Sequence, residues 1–110
     1  MNAQVIFKNL MIPMRDGVRL ATDVYRPAQD GELADGTFPA ILCRTPYVKE
    51  SKRYVEFADF FVPRGYVVVL QDLRGRGYSE GMGQYHHVAN DEDGRDGYDT
   101  VEWIAAQPWS

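Results

Sequence analysis

Apolar and polar positions alternate along the chain in blocks that read as strands and helices in turn. Tyr66-Val67-Val68-Val69-Leu70-Gln71-Asp72 opens with an unbroken apolar run. Its length and β-branching predict a strand buried on both faces, as in a parallel sheet covered by helices. Phe38-Pro39-Ala40-Ile41-Leu42-Cys43 predicts a second buried strand, with Pro39 tolerated near its start. Between them, Tyr54, Phe57, Ala58 and Phe61 recur at helical spacing within residues 51–62. Pro63 and Gly65 stop that helix. Strand, helix and strand in this order form a crossover unit of right-handed sense.

The chain begins differently. Val5–Met14 and Val18–Arg26 flank Asp16-Gly17, a pair that favours the positive φ angles of a hairpin turn. Residues 18–26 alternate with period two, which predicts a strand with one wet face, ended by Pro27. The hairpin is expected to be antiparallel and to lie at a sheet edge. A polar loop follows over residues 29–37. Near the end, residues 91–107 predict a second helix with acidic first turns, suited to the positive end of the helix dipole. Tyr98, Val101, Ile104 and Ala105 are assigned to its apolar face, and Pro108 stops it. Residues 84–90, with His86-His87, read as irregular. The fold class expected is α/β, an antiparallel hairpin followed by parallel βαβ units.

Composition narrows the function classes. The chain is 45% hydrophobic and 25% charged, ordinary for one soluble domain with a core. Its formal net charge of -4 and the lack of a basic patch argue against a nucleic-acid partner. Cys43 is the single cysteine, so no disulfide forms within the chain, and it reads as an inert core residue. Residues 1–5 lack a basic segment leading into a long apolar one, so no signal peptide is read and a cytoplasmic location is expected. No apolar run approaches membrane-spanning length. Oligomeric state is left open.

The candidate chemistry clusters after the strand ends, where open α/β sheets bind ligands. Gly77-Tyr78-Ser79-Glu80-Gly81 matches the G-x-S-x-G pattern of a nucleophile elbow. A true elbow sits directly between strand and helix, whereas several loop residues separate Asp72 from Ser79, so Ser79 reads as a loop serine. Gly75 and Gly77 suggest a dinucleotide fingerprint, but Glu80 occupies the third glycine's place and would repel a pyrophosphate. Asp91, Asp93 and Glu102 fall at calcium-loop positions, yet Arg95 and Asp96 stand where a ligand and the turn glycine belong. His86-His87 has no partner at metal-ligand spacing. No metal and no cofactor are therefore expected. Asp72, Arg74 and Arg76 either bind a charged substrate or brace their loop. Trp103 and Trp109 read as packing groups. Tyr47 follows a proline at a strand's carboxyl end. It is either a packing residue, which spacing alone favours, or a neutral-pH proton donor poised over the sheet.

Several stretches together resemble the Xaa-Pro dipeptidyl-peptidase and cocaine-esterase-like hydrolases. They are Met14–Pro27, Arg44-Thr45-Pro46-Tyr47, Gln71–Gly81, and the segment from Asp93 to Ser110. The resemblance implies an α/β-hydrolase core with a Ser-His-Asp triad acting on esters or amides, and small-molecule ester, amide or peptide substrates. It gives Tyr47 the role of side-chain oxyanion donor. It also implies that the serine elbow lies a few residues past Ser110, with the aspartate, histidine, cap and a C-terminal β-sandwich later still. On that basis residues 1–110 are the N-terminal portion of the hydrolase domain. The 110-residue chain alone is then expected to be inactive. The central strand 66–72 is expected to lack a neighbour, leaving an apolar edge prone to aggregation. The rival expectation is a small non-enzymatic α/β module that holds an anion at the 73–81 loop through Arg74 and Arg76.

Overall fold

The structure, a computed structural model, describes residues 4–81 and 91–110. The 84–90 segment and its His86-His87 pair lie outside the described residues. The described residues form β1 (Gln4–Pro13), β2 (Arg19–Gln29), β3 (Glu32–Leu33), β4 (Ala40–Thr45), α1 (Lys52–Phe61), a 3₁₀ turn (Val62–Arg64), β5 (Val67–Asp72) and α2 (Asp91–Ala105). The sheet order is β1-β2-β5-β4, with the short β3 beside β2. β4 and β5 are parallel, while β1, β2 and β5 pair antiparallel in succession. This mixed sheet with flanking helices is the α/β arrangement expected.

β5 lies at the centre because its side chains serve two cores. Val67 and Val69 pack with Val24, Ile104 and Trp109 on one face. Val68 and Leu70 pack with Tyr25, Ala58 and Val62 on the other. Every residue of β5 is buried. The 3₁₀ turn that follows α1 ends where Gly65, at φ 95°, takes the left-handed conformation that a side chain disfavours.

Five expectations are corrected. The strand expected to be buried over residues 38–43 is β4, in which Ala40–Arg44 are only half-buried. The return strand of the hairpin has no wet face: residues 20–25 are all buried, because Val24 packs with Ile104 and Trp109 on one side of the sheet and Tyr25 with Ala58 and Val62 on the other. Nor does Pro27 stop it, for β2 runs on to Gln29. The central strand is not left without a neighbour, since β5 is held between β2 and β4. Among the described residues the one-sided strand of that parallel pair is β4. Finally, of the face assigned to α2 only Ile104 is buried. Tyr98 is 61% and Val101 50% exposed, and Ala105 is exposed too, while Asp96, Thr100 and Ile104 are buried. The polar residues turn inward because partners await them, as described below. No helix among the described residues is long and apolar enough to cross a membrane.

Candidate functional site

The parallel pair β4–β5 ends with Thr45 opposite Asp72, which are register partners. Leu73 N–H donates to the Thr45 carbonyl at 3.0 Å, so the ladder continues one step past the strands. Two loops leave this rim. One carries Tyr47 and Lys49, and the other is the glycine loop 73–81. Tyr47 is 69% exposed, so it is a rim residue and does not pack in the core. Its backbone is nevertheless held. Tyr47 N–H donates to Thr45 Oγ1 at 2.8 Å, and the same oxygen lies 2.9 Å from the Tyr54 hydroxyl.

Asp72 is fully buried and joins the loops. Its Oδ1 accepts from Lys49 N–H at 2.9 Å and its Oδ2 from Tyr78 N–H at 3.2 Å. Gly77 is required here. At φ 50°, a Cβ would stand 2.3 Å from Asp72 Oδ2. The buried Lys49 ammonium lies 3.7 Å from Asp72 and 3.3 Å from the equally buried Asp23, and donates to Asn9 Oδ1 at 2.6 Å. Asp23 also accepts from Asn9 N–H at 2.8 Å and Lys8 Nζ at 3.0 Å. Asn9 reaches it through a break in the β1–β2 register, where its φ is 51°. Buried charges persist only when paired and hydrogen-bonded in this way.

The other candidates have structural partners. Ser79 Oγ donates to the Asp72 carbonyl at 2.6 Å and accepts from Ala21 N–H at 2.8 Å. It pins the glycine loop to β2. Arg74 grips Asp96 through Nε and one terminal nitrogen at 2.9 and 2.8 Å, and also pairs with Asp16 at 2.9 Å. Its guanidinium is thus engaged by two carboxylates at the place where the rival anion site would need it. Cys43 is half-buried, and burial pushes its thiol above the ordinary range, so it is poorly reactive. Trp109 is buried and Trp103 stands edge-on to it at 6.3 Å, so both pack.

Three rim residues escaped the sequence reading: Thr45, Lys49 and Asp23. The one available signal was an aspartate and a lysine placed beside apolar strands, and it does not say which groups meet. Chemically, the rim offers an exposed phenol whose backbone is anchored from both sides, above the ends of two parallel strands.

The chain is similar to known proteins in sequence and in fold. The chain is 43% identical over 112 residues to cocaine esterase from Rhodococcus sp. (strain MB1 Bresler), covering 94% of this chain and 17% of that protein. An aminopeptidase structure from a marine sediment Thaumarchaeota archaeon superposes with a TM-score of 0.75 at 30% identity, over 98% of this chain and 20% of that one. A CocE/NonD family hydrolase from Staphylococcus aureus also gives 0.75, at 28% identity, over 97% and 21% of the two chains. The chain therefore spans about a fifth or less of the length of these relatives. The family model described as X-Pro dipeptidyl-peptidase (S15 family) matches residues 16–110, and the chain belongs to that family of hydrolases.

Proposed function

We propose that this chain is the N-terminal part of a serine hydrolase of acyl esters, amides or peptides, and that Tyr47 donates a side-chain hydrogen bond to the oxyanion. The observation that carries the reading is the exposure of Tyr47 at the carboxyl rim of a parallel strand pair, with its backbone tied to Thr45. A serine outside these 110 residues attacks the carbonyl and a histidine takes its proton. Negative charge gathers on the carbonyl oxygen, where the phenol O–H and a backbone N–H beside the serine receive it. The intermediate then collapses: the scissile C–O or C–N bond breaks and the histidine gives its proton to the departing alcohol or amine. Water, deprotonated by the same histidine, attacks the acyl-enzyme, and the acid leaves as the serine regains its proton. Small-molecule esters, amides or peptides are the partners this chemistry requires.

Removing one oxyanion donor typically lowers kcat by about 10²–10³. Tyr47→Phe in the whole protein is expected to lose that much on a 4-nitrophenyl ester while the fold is kept. An unchanged kcat would remove Tyr47 from the mechanism. The 110-residue chain alone is expected to turn over neither esters nor amides. Labelling of one of its serines by a fluorophosphonate probe would contradict that.

A further inference from the structure

We infer that Thr45 and Asp72 act as a paired clamp that positions Tyr47, an inference that rests on the oxyanion role proposed above. The two residues are partners across β4 and β5. Each holds a backbone N–H on one side of the tyrosine. Thr45 Oγ1 takes the N–H of Tyr47 itself at 2.8 Å, and Asp72 Oδ1 takes that of Lys49 at 2.9 Å. Thr45 is 1% and Asp72 0% exposed, so neither bond competes with bulk water. Tyr47 protrudes, at 69% exposure, and has little packing of its own to fix its place. The clamp supplies the constraint that packing does not. It begins from two strand ends, the most rigidly held backbone near the site.

The same Asp72 carboxylate also holds Tyr78 N–H at 3.2 Å, so the tyrosine loop and the glycine loop are set by one group. The Lys49 ammonium, 3.7 Å away, pairs with that carboxylate. Thr45 and Asp72 touch no substrate in this account. They are positioning residues, and a misplacement of about 1 Å at a donor can cost roughly 10²-fold in rate.

The test is a double-mutant cycle in the whole protein, read on a 4-nitrophenyl ester. Thr45→Val keeps the shape and removes the acceptor. It is expected to lower kcat about tenfold or more with KM changed less than about twofold, while Thr45→Ser retains activity. In the Tyr47→Phe background, Thr45→Val should cost less than about twofold further, because the clamp acts only through the phenol. Asp72→Ala is expected to behave in the same way. Equal losses from Thr45→Val in both backgrounds would overturn the clamp and leave the role of Tyr47 standing. Tyr47→Phe without effect would overturn the proposed function itself. Should Asp72→Ala fail to fold, amide hydrogen exchange in the unmutated protein decides: the Tyr47 and Lys49 amides are expected to be protected, and exchange of both at unstructured rates overturns the clamp.

Discussion

Arg74 grips Asp96 with two parallel hydrogen bonds of 2.9 and 2.8 Å, joining the glycine loop after β5 to the first turns of α2. Their side chains are only 8% and 3% exposed. Breaking a buried pair by removing one partner typically costs about 3–5 kcal/mol, because the other charge is left in a poor solvent. Arg74→Met is expected to cost about 3 kcal/mol, the lower figure. The local readout is amide exchange along α2, which should accelerate about a hundredfold in the variant. Unchanged exchange would show that the helix is held by its apolar contacts alone.

Gly77 and Gly17 separate two reasons for glycine. Both have positive φ, 50° and 89°, but only at Gly77 would a Cβ strike a neighbour, the Asp72 carboxylate. Gly17→Ala should cost on the order of 1 kcal/mol through backbone strain alone. Gly77→Ala should cost clearly more and loosen both loops that Asp72 holds. Thermal midpoints of the two variants check this, and equal shifts would count against the close approach.

These two cases also show what the sequence made legible. β5 could be read directly because a strand buried on both faces is continuously apolar, as Val67–Leu70 is. β4 was legible as a strand from its own apolar run, but its burial was overestimated. The hairpin was legible from Asp16-Gly17, whose turn chemistry is local. β2 was misread because its polar residues are buried: Thr22 accepts from Gln71 Nε2 at 3.0 Å, and Asp23 faces Lys49. α2 was misread for the same reason. Its inner side carries Asp96 for Arg74 and Thr100, whose hydroxyl lies 3.1 Å from Gln71 Oε1. Periodicity assigns faces by hydrophobicity, and it fails wherever a distant partner makes burial of a polar group favourable. The place of Tyr47 at a strand's carboxyl end was legible because Pro46 and the preceding strand are local features, whereas spacing alone favoured packing and did not give its 69% exposure. Its anchor through Asp72 was not legible, since that depends on a pairing across 27 residues of sequence between β4 and β5.

Acid should weaken the hairpin's attachments. Hydrogen bonds from Arg74 hold the Asp16 carboxyl below its ordinary value of 3.8, and those from Arg15 do so for Asp99. Arg19 holds Glu80 below 4.5. A carboxyl depressed in the folded state contributes stability that is fully present above its unfolded pKa and is lost as pH falls through the folded value. Stability from these three groups should therefore be level above about pH 5 and decline below about pH 4. Thermal midpoints measured against pH test this. Glu80→Gln should flatten part of the decline, and an identical profile in that variant would exclude Glu80 from it.

Lys49 is the cation on which two buried carboxylates depend. Asp23 and Asp72 are both fully buried and lie 3.3 and 3.7 Å from its ammonium. Lys49→Met keeps the stem and removes the charge. It is expected to cost about 3–5 kcal/mol. Adding Asp23→Asn should then restore part of the loss, because one stranded charge is removed with it. The check is a double-mutant cycle on thermal stability. Simple addition of the two penalties would mean that the groups do not interact.

The last prediction concerns the 110-residue chain on its own. β4 is hydrogen-bonded to β5, and among the described residues no strand pairs with its other side. Ile41, Leu42 and Cys43 on it are only half-buried, although they belong to an apolar run. On α2, Tyr98 and Val101 face solvent at 61% and 50% exposure. A one-sided apolar strand offers unpaired backbone groups to any similar strand, and exposed apolar side chains add a driving force for association. The isolated chain is thus expected to bind a hydrophobic dye such as ANS, to self-associate as its concentration rises, and to melt broadly. Scanning calorimetry together with sedimentation checks this directly. A sharp two-state transition in a monomer that binds no dye would show that these 110 residues close their own core, and that the open side of β4 carries no cost.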